Sequence, residues 1–198
     1  MGVYELSGAG SVKTGRTLYT SMNANNQYGA MVPIATAEPN NAQIVFNNIP
    51  QIYQDLMIVV SARSAGSSST GSIEGRFNGD TGSNYSWTWM QGNGTSAISG
   101  RGSNATVLVL GRAAGSSTAS NFFCTAVTHI LNYSNTSTNK TVIERGADDQ
   151  NGSGVVEMWI SLWRSTAAIT SITMATPGQT NFAAGSTATL YGIRAANS

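Results

Sequence analysis

VVEMWISLWRS, Val155 to Ser165, decides how the fold is read. As a β-strand it sends alternate side chains to opposite faces. Val156, Met158, Ile160 and Leu162 share one face, an aliphatic run that predicts the core side. Val155, Glu157, Trp159, Ser161 and Trp163 share the other. Two indoles on the side that should meet water need a second cover. DLMIVVSA repeats the doubling, with Leu56, Ile58 and Val60 facing one way and Met57 and Val59 the other. Contiguous exposed apolar surface marks interfaces, and Trp is enriched at buried hot spots. Trp159, Trp163, Met57 and Val59 are therefore expected to be covered by the N-terminal segment together with neighbouring subunits of a homo-oligomer.

Working outward, short apolar runs recur between Gly/Ser/Asn/Thr clusters, the pattern of an all-β sandwich or barrel. Candidate strands fall at 42–47, 55–62, 72–78, 84–90, 106–111, 121–131, 140–145, 155–164, 169–175 and 186–194. Their number fits a jelly-roll-like sandwich of eight to ten antiparallel strands. Little helix is expected, because no long stretch carries a capped 3.6-residue period. Residues 1–41 lack sustained alternation but carry anchors, among them Tyr4, Leu6, Leu18 and Tyr19. They read as an extended arm laid across a neighbour, and residues 42–198 as the sandwich domain.

The chain has 198 residues, 40% hydrophobic, enough for one core. Charged residues make up only 10%, against roughly 25% in an average domain. Such a surface repels its copies weakly. The net charge is +1 and the basic residues are scattered, which gives no footprint for nucleic acid. No apolar run is long enough to span a membrane. No leader is visible at the start and the lone Cys124 has no internal partner, so synthesis in a reducing cytoplasm is expected. Seven Asn-x-Ser/Thr triplets follow from the Asn, Ser and Thr content and are read as unmodified.

The chemical inventory is thin. The single His129 lies in an apolar strand five residues after Cys124, so the two point to opposite faces and form no nucleophile–base pair within that strand. A Cys/His metal site needs more ligands than the chain owns. Asp80, in FNGDTGSN, reads as hairpin-turn chemistry ahead of an incomplete calcium loop. Nine acidic residues leave a paired-carboxylate glycosidase open, but nothing in the sequence locates a pair. No catalytic residue, cofactor or metal is assigned. In NYSWTWM, Tyr85, Trp87 and Trp89 share a face. That face is either core or a platform for stacking a sugar.

Several stretches together resemble a family. FNNIPQIYQDLMIVVSARS, RFNGDTGSNYSWTW, ILNYSNTSTNKTVIERG, LWRSTAAITSITM and NFAAGSTATLYGIR look like the serial motifs of tailed-bacteriophage virion proteins, over residues 42–194. The opening GVYELSGAGSVKTGRTLYTS is similar to the starts of some of them. The resemblance implies a jelly-roll β-domain built into virions, with no enzymatic activity. The expected function is a capsid decoration or cement protein on the capsid surface. Its partners would be the major capsid protein and copies of itself as a homotrimer, with no nucleic acid and no membrane. The alternative is a fibre or receptor-binding module that recognises a host glycan through Tyr85, Trp87 and Trp89. A small lectin or hydrolase unrelated to virions is a third, weaker reading.

Overall fold

The computed structural model describes residues 30–39, 42–68 and 70–195. Among them the strands are β1 (Met31–Ala37), β2 (Gln43–Phe46), β3 (Asp55–Ala62), β4 (Thr70–Phe77), β5 (Tyr85–Gly92), β6 (Ala97–Ala105), β7 (Leu108–Ala114), β8 (Cys124–Ile130), β9 (Lys140–Asp149), β10 (Gly154–Trp163), β11 (Ile172–Ala175) and β12 (Thr187–Ile193), with one 3-10 turn at Pro177–Gln179. The protein is all-β. An eight-stranded sheet in the order β1-β12-β3-β8-β9-β10-β5-β6 faces a four-stranded sheet in the order β2-β11-β4-β7, and every pairing between two of these strands is antiparallel.

The chain shuttles between the sheets from β1 through β5, from β6 through β8, and from β10 through β12. Three connections stay within the larger sheet: β8–β9 and the hairpins β5–β6 and β9–β10. The two hairpins lie side by side at one end of it. That sheet therefore overhangs its partner. Turn chemistry fixes two of the connections. Asn78 and Gly79 both take positive φ (52° and 67°), as do Asn151 and Gly152 (60° and 85°), the conformation that makes Asn-Gly a reversal signal.

Between the sheets lies an aliphatic and aromatic core. Leu56, Ile58, Ile73, Phe77, Leu108, Leu110, Ile130, Val142, Ile169, Ile172 and Leu190 are fully buried. β3 shows the two-residue period cleanly, with Leu56, Ile58 and Val60 inward. At Gly75 the Leu110 side chain occupies the space a Cβ would need, which lets β4 and β7 pack closely there.

Three expectations are corrected. Residues 31–37, assigned to the arm, form β1 and pair with β12 from Met31↔Ile193 to Ala37↔Ala188, so the folded sheet begins before residue 42. Pro33 and the bulge between Pro33 and Ala35 hide the alternation, and both are tolerated because β1 is an edge strand. β6, AISGRGSNA, was not expected as a strand at all. Third, β10 is turned over. Val156, Met158 and Ile160 are 66%, 39% and 40% exposed, whereas Glu157, Ser161 and Trp163 are buried. The face read as core meets solvent.

The reason is visible around Trp163. Its ring packs on Phe77 (centroids 5.6 Å apart, edge-on) and Tyr85 (6.4 Å, stacked), and its Nε1–H donates to Asp80 Oδ2 at 2.7 Å. An indole removes about 150–250 Å² from water when its N–H also finds an acceptor. Trp163 thus lies in the chain's own core and needs no neighbour to cover it.

Candidate interaction face

The outward side of the large sheet is built from cross-strand rows, because directly paired residues share a face. The middle row runs Thr36–Thr189–Val59–Val127–Arg145–Met158–Met90–Ser99 across all eight strands. One step along the strands lies Tyr191–Met57–His129–Ile143–Ile160–Thr88–Arg101. On the other side lies Thr187–Ser61–Thr125–Ala147–Val156–Gly92–Ala97. Val59, Met90, Val156, Met158 and Ile160 are all exposed. The surface is concave, with a hollow of about 710 Å³ lined by Val59, Val127, Arg145, Met158, Met90 and Val156 among others. None of the three rows contains a carboxylate. Arg145 and Arg101 have no ion-pair partner among the described residues. His129 is the exception, with Nε2 3.1 Å from Asp55 Oδ2.

The inward side has two halves. Under β12, β3 and β8 it is aliphatic. Under β9, β10 and β5 it carries Glu144, Glu157, Trp159, Ser161, Trp87 and Trp89. Arg112 of β7 reaches into this polar half. Its Nη1 donates to Glu157 Oε2 at 2.8 Å, its Nε to Asp148 Oδ2 at 3.3 Å and its Nη2 to Thr70 Oγ1 at 2.6 Å. Burial works against the guanidinium charge, but the two carboxylates outweigh it and hold the Arg112 pKa above its ordinary value.

Glu144 has no such partner. It is fully buried and neither carboxyl oxygen is hydrogen-bonded. Glu157 Oε1, Trp159 Nε1 and Ser161 Oγ are likewise enclosed without partners. A Cβ on Gly146 would lie 2.6 Å from Glu144 Oε1 and 3.2 Å from Glu157 Oε1, so the glycine makes room for both acids. Burial, reinforced by the Glu157 charge and opposed by Arg112, pushes the Glu144 pKa up to about 8. The fold thus favours the protonated form of Glu144 over that of a free carboxyl. This is the carboxyl pair the sequence could not locate. Its unpartnered oxygens are enclosed within the fold.

Trp87 and Trp89 pack on Trp159, with centroids 5.3 Å apart edge-on and 5.4 Å apart stacked. All three are half-buried. The rings of Trp87 and Trp89 also lie over Gly102 and Gly100 of β6, where a Cβ would approach them to 2.5 Å and 2.7 Å. Tyr85 is fully buried, its OH accepting from Phe77 N–H at 3.1 Å, so it cannot belong to a glycan-stacking surface.

Of the other expected interface residues, Met57 is half-buried and Val59 exposed, both on the outward rows. Trp159 sits on the inward side. Tyr4, Leu6, Leu18 and Tyr19 lie outside the described residues. Cys124 points inward, and His129 faces outward. Asp80 is a turn residue whose carboxylate is held below its usual range, first by the Trp163 indole N–H, with Asn84 and Gly82 adding further bonds against the opposing effect of burial. Two features were missed in the sequence: the Glu144–Glu157–Arg112 layer and the unpaired Arg145. The signal for the first was alternation in KTVIERGADD, which puts Lys140, Val142, Glu144, Gly146 and Asp148 on one face of a central strand. No known protein-family model matches the chain, and no curated protein matches it.

Proposed function

We propose that the chain is a structural protein of a virus particle, of the kind that decorates or cements a capsid. It would hold its neighbours through the outward face of the eight-stranded sheet. The observation that carries this reading is the set of exposed aliphatic and methionine side chains on adjoining rows of a concave sheet. Eight strands at about 4.8 Å spacing make a face roughly 34 Å wide. Seated on a partner, such a face suffices for a standard interface of about 800 Å² per side. Low charge lets copies crowd without repulsion. Many modest contacts acting together add cohesion across the joints of a shell.

The shuttling strand order supports the finer reading of a jelly roll with two inserted hairpins. The sequence resemblance to tailed-phage virion proteins points to the same class, with the major capsid protein and copies of the chain in a homotrimer as partners. The glycan-binding alternative has lost Tyr85 to the core and keeps only the partly exposed Trp87 and Trp89.

Quantifying the chain in purified particles tests the reading. Copies comparable in number to the shell subunits are expected, and a Val156→Lys/Met158→Lys double variant should fold yet fail to enter particles. Its absence from particles, or normal incorporation of that variant, would contradict the reading.

A further inference from the structure

We propose that the outward face receives the N-terminal segment of a second copy of this chain, with Glu5 of that copy paired to Arg145. The inference rests on reading this face as an assembly surface, and it names what sits there.

Arg145 stands exposed in mid-row between Val127 and Met158, with no acid in any of the three rows. A purely apolar partner would bury its guanidinium unpaired, which is costly. A second copy docked row on row would bring the arginines against three rows that carry no acid, the outward-facing Asp149 and Asp55 lying one row beyond on either side, so that register is disfavoured. The occupant must place a carboxylate among apolar side chains.

Residues 1–29 contain one acidic residue, Glu5, and it stands in Val-Tyr-Glu-Leu. Extended, that stretch repeats every two residues over about 6.6–6.8 Å, the same step that separates Ile143, Arg145 and Ala147 along β9. With Glu5 over Arg145, Val3 and Ser7 lie over Ile143 and Ala147 in one order or the other, and Tyr4 and Leu6, read from the sequence as anchors, face away from this sheet. The reach is sufficient. The residues between Glu5 and Ala30 span up to roughly 80 Å when extended, more than the width of the sheet. The described chain also begins beside β1, at the rim of the sheet, where a segment can cross to an adjacent copy without doubling back.

Charge reversal in the full-length chain provides the test, read by sedimentation equilibrium. Glu5→Arg and Arg145→Glu should each weaken self-association by roughly tenfold or more, and the double variant should restore it. Arg145 is exposed, so its reversal leaves folding intact, which circular dichroism checks. Mixing a Glu5→Cys chain with an Arg145→Cys chain under mild oxidation should give a cross-linked pair. Native Cys124 stays silent, because it is fully buried and its thiol is pushed up to about 12 by burial and then by Asp148. Three results overturn the inference: unchanged association in Arg145→Glu, no restoration in the double variant, or a cross-link that forms only within one chain carrying both cysteines. The Val156→Lys/Met158→Lys variant separates the two levels. If it alone weakens association, the face is an interface with another occupant. If neither it nor the charge reversals has any effect, the assembly reading itself fails with the inference.

Discussion

The two sides of β10 differ in a way that hydrophobicity alone does not explain. The outward side carries Val156, Met158, Ile160 and Leu162, four aliphatic residues, three of them exposed. The inward side carries Glu157 and Ser161, both buried, beside Trp159 and Trp163. Summed by residue type, the outward side should have won the core. It lost because two of the inward residues find their partners only inside. Trp163 finds two rings and an acceptor there, and Glu157 finds Arg112. Burial follows available partners as well as greasiness, and the aliphatic side is left facing solvent.

The largest expected effect lies on the inward side. Trp163→Ala should cost about 3–5 kcal/mol by chemical denaturation, the range for emptying a buried aromatic site. A cost below ~1 kcal/mol would mean that the ring is not core. Arg112→Ala should be of similar size, about 3–5 kcal/mol, because it strands two buried carboxylates. Its damage should be partly rescued by Glu157→Gln, and failure of that rescue would deny the pair.

Next comes a pH effect. The Glu144 pKa is raised from an ordinary 4.5 to about 8 in the fold. Between those values the unfolded chain has lost the proton while the folded chain keeps it. Stability therefore falls as pH rises from about 4.5 to about 8 and is level in this respect outside that window. The slope is at most about 1.4 kcal/mol per pH unit. Glu144→Gln removes this slope, so the variant should gain on the native chain as pH rises. Parallel stability curves for the two proteins would show that Glu144 titrates normally.

The smallest effect should come from the outward side. Val156→Thr and Met158→Thr should each change stability by about 0.5 kcal/mol or less, as surface changes do. If either costs as much as Trp163→Ala, the sheet has the opposite orientation.

Much of the scaffold was legible. β3 and β12 announce themselves by clean alternation, and the Asn-Gly turns at Asn78 and Asn151 by their chemistry. In β10 the alternation gave the period but not the phase, because both sides are apolar and the deciding partner, Arg112, lies on β7 some 45 residues away. β6 escaped notice because Gly100 and Gly102 are small to receive the indoles of β5, and a strand that serves as a bed for rings has no apolar rhythm of its own. β1 is disguised by Pro33. Of the candidate face, Met57 and Val59 were read on their outward side from the pattern. Val156, Met158 and Ile160 were visible as a stripe and assigned to the wrong side of the sheet.

Oxidative footprinting of the chain, free and in its assembled state, tests the account most directly. Met90 and Met158 should oxidise readily in the free chain and become protected on assembly, while Trp163 stays protected in both. Methionines that remain equally reactive in the assembled state would show that the outward face is not where this protein meets its neighbours.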